Sequence, residues 1–127
     1  MKTVLIVEDD IYMVRAYIMK LEKEGGVKVE VASDGEAASE FVKKNKPVDL
    51  VLLDLMLPKK SGFDVLKEMK ENKLWKSVPV VILSNLGQQE DINRGKELGA
   101  NDYIIKAHFT PSEVVEKIEK VLRGRGS

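Results

Sequence analysis

A chain of 127 residues, 43% of them apolar, has the material for one domain with one packed interior. Its 21 Lys and Arg balance its 21 Asp and Glu, which argues against a dedicated nucleic-acid binder; the absence of cysteine excludes disulfides, thiolate metal sites and thiol nucleophiles. No apolar run approaches the roughly 18 residues of a membrane span, and acids at 8–10 cut the first apolar stretch short of a signal peptide, so a cytoplasmic protein is expected.

Residues 4–7 form a continuous aliphatic run, the mark of a strand covered on both faces. The run ends in three acids, Glu8, Asp9 and Asp10. The spacing of Ile11, Val14, Ile18 and Leu21 predicts a helix to about Glu24, capped by Asp9 or Asp10 and ended by Gly25 and Gly26. A short strand follows over 27–32, with Val27, Val29 and Val31 on one side. Ser33 and Glu36 have capping-box spacing for a helix to about Asn45, and Pro47 closes the next loop. Residues 48–53 make the most apolar strand, expected at the centre of the sheet and ending at Asp54. DLMLPKKSG, 54–62, reads as a loop, and Ser61 with Asp64 opens a helix to about Asn72. Pro79 precedes a fourth buried strand over 80–83 that ends at Ser84. Residues 88–98 predict a helix closed by Gly99, and 102–105 a fifth strand stopping at Lys106. Thr110, Pro111 and Glu113 supply an N-cap, a first-turn proline and a reciprocal acid for a helix to about Leu122. Residues 123–127 are expected to be a frayed tail or the start of a linker.

Five strands alternating with five helices over short connections predict an α/β sandwich in one domain, residues 1–122, with a parallel sheet and helices on both faces. In such sheets sites form at the carboxyl ends of the strands. Those ends carry Glu8 and Asp9, Asp54, Ser84 and Lys106. Converging carboxylates call for a cation. All-oxygen ligands, with His108 the only histidine, favour Mg²⁺ over zinc. Asp54 is then a candidate nucleophile that becomes an aspartyl phosphate. Lys106 would pair with a phosphoryl oxygen, Ser84 would donate a hydrogen bond, and amides after Asp54 would complete the anion pocket. Each residue has a plainer reading alone: Asp9 and Asp10 as helix caps, Asp54 as a turn former, Ser84 and Lys106 as loop and surface residues. The agreement of four strand ends carries the functional reading. Tyr103 is either a half-buried aromatic on an edge strand or a ring that moves between inward and outward positions. Trp75 is expected to pack against a helix end, and His108 to be a loop residue.

The segments VLIVEDD (4–10), LVLLDLMLPKKSG (50–62), VVILSN (80–85) and GANDYIIKA (99–107), with the final helix, resemble the receiver domain of bacterial two-component response regulators over residues 3–122. The resemblance implies a flavodoxin-like (βα)5 fold with a five-stranded parallel sheet in the order 2-1-3-4-5. It implies a Mg²⁺ site in which Asp9 binds directly, Glu8 through water, and Asp54 and the Met56 carbonyl complete the ligands. Asp54 would be the phospho-acceptor, Ser84 the switch hydroxyl, Tyr103 the switch aromatic and Lys106 the phosphoryl contact. The phosphoryl group would come from a sensor histidine kinase or a histidine phosphotransfer protein. A receiver catalyses its own phosphorylation and dephosphorylation but is not a turnover enzyme. Its signal would leave through the face of helix four, strand five and helix five, toward a downstream protein, an effector domain or a second copy in a homodimer, without direct nucleic-acid or membrane contact.

The chain departs from the family pattern after the lysine, where receivers usually carry a cis proline and this sequence has Ala107. Either a cis bond is held at a cost of about 2.5–4 kcal/mol, or the bond is trans and Lys106 approaches differently. Met56 and Leu86 are apolar where many receivers place polar residues, so no side-chain-assisted hydrolysis is expected from them. One alternative is a degenerate receiver acting as a phosphorylation-independent binding module. An aspartyl-nucleophile hydrolase would need an acid at the position of Met56, and a flavodoxin-type binder would meet acids that repel its cofactor phosphate.

Overall fold

The computed structural model of the protein describes residues 2–23 and 26–126, the last two as backbone only. The elements run β1 (Lys2–Val7), α1 (Ile11–Lys23), β2 (Val27–Ala32), α2 (Gly35–Lys43), β3 (Leu50–Leu53), α3 (Gly62–Glu71), β4 (Val80–Ser84), α4 (Gln89–Glu97), β5 (Asp102–Ile105), a 3-10 turn (Lys106–His108) and α5 (Pro111–Gly126). All strand pairs are parallel, in the order β2-β1-β3-β4-β5. This is the flavodoxin-like (βα)5 arrangement that the resemblance implied.

Successive strand side chains point to opposite faces, and here each face has its own core. Leu5, Val7, Val51, Leu53, Val80 and Ile82 face α2 and α3. Val4, Ile6, Leu50, Leu52, Val81 and Leu83 face α1 and α5. Two buried faces leave no polar position in the middle of the central strands, which is why residues 4–7, 50–53 and 80–83 read as unbroken aliphatic runs. Trp75 is fully buried among the α2 and α3 side chains, its amide turned back onto Asn72.

Local details depart from the expected ones. In α1 the buried stripe is Val14, Tyr17 and Leu21, while Ile11 is 55% exposed. Asp10 is the cap, its Oδ1 accepting from the amides of Tyr12 and Met13 at 3.0 and 3.3 Å, and this leaves Ile11 on the rim. Helix α2 is capped by Asp34 rather than Ser33, through the Ala37 amide at 2.8 Å, and it stops before Asn45, which has a φ of 55°. Strand β3 starts at Leu50, two residues later than expected, because the Asp49 side chain takes the Thr3 amide at 2.7 Å. Ser61 caps α3, and Thr110 with Glu113 forms the reciprocal box of α5. Helix α5 continues through Gly126, past the expected end at Leu122. Glu24, Gly25 and Ser127, where a helix stop and part of the tail were expected, lie outside the described residues. Among the described residues no helix is long and apolar enough to cross a membrane.

Candidate functional site

Strand register brings the acids together. Val7 is level with Leu53 across the β1–β3 pair, so the next residues, Glu8 and Asp54, leave the sheet side by side. Their backbones stay anchored: the Asp54 amide donates to Val7 at 3.0 Å, and the Glu8 amide donates to Ala32 at 3.1 Å. One carboxylate oxygen each from Glu8, Asp9 and Asp54 lies within 4.8 Å of the others. Glu8 and Asp54 are buried, at 3% and 5% exposure, and Asp9 stands exposed at the rim. Lys106, at the end of β5, reaches across: its Nζ lies 3.1 Å from Asp54 Oδ2 and contacts Glu8 Oε1. No peptide bond among the described residues is cis, so the bond to Ala107 is trans and the lysine still arrives at Asp54.

The electrostatics follow from this crowding. Burial pushes the Glu8 carboxyl up to about 7 and the nearby Asp54 charge adds to that, against the bonds from Lys106 and the Asp10 amide. Burial alone would push the Lys106 ammonium down, but the bond to Glu8 and the Asp54 charge outweigh it and hold the group above its ordinary value. Tyr17 is held well above its ordinary range by burial and by the charges of Glu8, Asp10 and Asp54. The Met56 amide donates to Asp54 Oδ1 at 3.2 Å, while the Met56 side chain is 60% exposed.

Ser84 ends β4 and is fully buried; its Oγ accepts from the Leu86 amide at 3.2 Å. The Leu86 carbonyl in turn accepts from the Tyr103 hydroxyl at 2.5 Å. Burial, with the charges of Asp91 and Asp54, pushes that phenol up to about 12, so it is a neutral donor. Helix α4 lies close over the ring: a methyl group on Gly95 would stand 3.2 Å from Tyr103 Cδ2. His108 is exposed on the 3-10 turn. Two features had gone unassigned in the sequence. Asn85 Oδ1 accepts from the Ala107 amide at 3.2 Å. Gly62 packs its α-carbon against the Asp54 backbone. Neither had a sequence signal: the first depends on two loops meeting, the second on how the 54–62 loop closes on itself.

The donor set fits a hard divalent cation: three carboxylates in reach of one point, two of them buried, with no sulfur or imidazole among them. The acidic cluster is capable of holding such an ion.

Residues 4–119 match the response regulator receiver domain family. The chain is 39% identical over 122 residues to the phosphate regulon transcriptional regulatory protein PhoB of Escherichia coli K12, covering 96% of this chain and 52% of that one. It thus spans about half the length of the curated relatives it matches. Among solved structures, the CheY-like receiver domain protein of Methanospirillum hungatei JF-1 superposes with a TM-score of 0.88 at 25% identity, covering 99% of this chain and 97% of that one. The Mn(2+)-bound form of response regulator Rcp1 superposes with a TM-score of 0.78 at 32% identity, covering 98% and 91%. The chain belongs to the receiver domain family of response regulators, and its acidic cluster with Lys106 is consistent with phospho-aspartate chemistry.

Proposed function

We propose that Asp54 accepts a phosphoryl group, in a Mg²⁺-dependent reaction, from the phosphohistidine of a sensor histidine kinase or a histidine phosphotransfer protein, and that the resulting acyl phosphate switches the domain between two packings. The observation that carries this is the placement of Asp54: buried at a strand end, beside Glu8 and Asp9 and within 3.1 Å of the Lys106 ammonium.

An Asp54 carboxylate oxygen forms the new bond to phosphorus. The bond from phosphorus to the donor imidazole nitrogen breaks, its electron pair leaves with the imidazole, and that nitrogen takes a proton. Glu8, Asp9, Asp54 and the Met56 carbonyl are the residues that would hold Mg²⁺, which supplies positive charge against the phosphoryl oxygens when bound. Rcp1, a relative at 32% identity, binds a divalent ion in its solved form, which supports a metal-dependent reading here. Lys106 moves its contact from the carboxylate to a phosphoryl oxygen, and the Met56 amide adds a donor beside it.

Ser84 donates to another phosphoryl oxygen. Its Oγ already holds the Leu86 amide, and the Leu86 carbonyl holds the Tyr103 hydroxyl, so a shift of Ser84 passes through one short loop to the ring beneath α4. Phosphorylation then biases two arrangements of the α4–β5–α5 face, which serves a downstream protein, an effector domain or a second copy. A cytoplasmic setting follows from the kinase as donor. The assembled set of Glu8, Asp9, Asp54, Ser84 and Lys106 supports this reading over a phosphorylation-independent module.

The test is intact-mass measurement after acetyl phosphate and Mg²⁺. The wild type is expected to gain one phosphoryl group; Asp54→Asn and the chelator-treated wild type are expected to gain none. One-to-one labelling of Asp54→Asn would refute the assignment.

A further inference from the structure

The Lys106 side chain enters the site from a 3-10 turn that begins at Lys106 itself. The first amides of a helical turn have no partner within the turn and must find one elsewhere. Here the residue in the capping place is Ile105, whose side chain supplies no cap hydrogen bond. The turn closes at its far end, where the Phe109 amide donates to the Lys106 carbonyl at 3.4 Å. At its near end the Ala107 amide is bonded to a different loop: it donates to Asn85 Oδ1 at 3.2 Å, across 22 residues of sequence. Alanine keeps an N–H that a proline at this position would lack, and asparagine is among the best side-chain acceptors for such an orphan amide.

We infer that Asn85 is a positioning residue for Lys106: it caps the 3-10 turn from the neighbouring β4–α4 loop and holds the lysine backbone where its ammonium meets Asp54. The inference rests on the phospho-acceptor reading of Asp54. Asn85 does not touch the reacting atoms; it acts through the peptide that follows Lys106. A free turn would let the start of a flexible side chain drift, and the ammonium must cross from β5 to β3 to reach Asp54. Small displacements of such a group are felt in rate. The same side chain ties the loop after Ser84 to the loop after β5, so the Ser84 and Lys106 contacts are set from one short segment.

Three variants separate positioning from bulk structure. Asn85→Leu keeps the size and removes the acceptor, Asn85→Asp keeps an acceptor oxygen, and Ala107→Pro removes the donor. The readouts are amide hydrogen exchange at Ala107 and the initial rate of labelling by acetyl phosphate with Mg²⁺. In the wild type the Ala107 amide is expected to be protected, and in Asn85→Leu to exchange freely. One net hydrogen bond predicts a labelling rate lower by about 2- to 10-fold in Asn85→Leu, with most of the rate kept in Asn85→Asp. In the Ala107→Pro background, Asn85→Leu should cost nothing further, because the bond is already gone. Equal rates in the wild type and Asn85→Leu, or an equal loss in both backgrounds, overturn the inference and leave Asp54 phosphorylation standing. Absence of any labelling of the wild type would overturn the phospho-acceptor reading instead, and exchange at Ala107 would then decide the cap alone: unprotected in the wild type, there is no cap.

Discussion

Lys106 bridges to Asp54 across the rim of the sheet, its Nζ 3.1 Å from Asp54 Oδ2 while also in contact with Glu8 Oε1. One cation therefore offsets two buried carboxylates, at the same strand ends where a divalent ion would take oxygen ligands. Removing it leaves Glu8 and Asp54 facing each other out of water without their shared cation. In metal-free protein, Lys106→Met is expected to lower stability by about 3 kcal/mol, the typical cost of breaking a buried ion pair from one side. Mg²⁺ should restore part of this loss, since it brings charge to the same oxygens. Labelling by acetyl phosphate should slow by about 100-fold, the scale of losing one preorganised charge contact. Urea unfolding with and without Mg²⁺, alongside the labelling rate, checks both parts. A variant as stable as the wild type without metal would show that the bridge has no energetic role.

The parallel sheet and the strand-end residues were legible in the sequence because each rests on a local pattern, whereas the strand order came only with the resemblance to receiver domains. Residues 50–53 and 80–83 are apolar runs of strand length bounded by turn residues, which reads as strands buried on both faces, and the polar residue after each run lands at the sheet edge. What was not legible depended on pairs of distant segments. The cap of α2 falls on Asp34 rather than Ser33 because Gly35 must nest against the Lys60 backbone, where a methyl group would stand 2.1 Å from the carbonyl oxygen. The trans bond before Ala107 and its tie to Asn85 required two loops to meet. Strand ends could be read one at a time, and so could the local caps at Ser61 and Thr110; the ties between loops could not.

Gly62, the first residue of α3, packs directly against the backbone of Asp54 and Leu55. A methyl group there would lie 2.3 Å from the Asp54 carbonyl oxygen and 2.6 Å from the Leu55 α-carbon, both backbone atoms that cannot rotate away. The Gly62 amide also donates to the Leu55 carbonyl at 3.0 Å, closing the loop on itself. Gly62→Ala is therefore expected to lower stability by about 1–3 kcal/mol, as overpacked sites do, and to weaken Mg²⁺ binding by displacing the Asp54 backbone. Chemical unfolding and calorimetric Mg²⁺ titration measure the two effects. Wild-type values for both would mean that the loop has slack that the contact distances deny.

The loop after Asp54 is also fastened from its far side. Lys60 contacts Glu68 Oε1 on α3 and donates to Ser39 Oγ on α2 at 3.0 Å, and Ser39 donates to Glu68 Oε2 at 2.6 Å. Burial alone would raise the Glu68 carboxyl, but the bonds from Lys60 and Ser39 outweigh it and hold the group below its ordinary value of 4.5. A carboxyl depressed in the folded state stabilises the protein above its unfolded value, and the contribution fades as pH falls through the folded one. Glu68→Gln should therefore be less stable than the wild type at pH 7, with the gap narrowing only as pH drops below about 4.5, the unfolded value. Urea unfolding of both proteins from pH 7 to pH 3 measures the gap. High salt should also shrink it, because Glu68 is partly exposed and its pairing with Lys60 is open to screening. A gap that holds constant to pH 3 would mean that hydrogen bonds the amide can equally make, not the charge, fasten this loop.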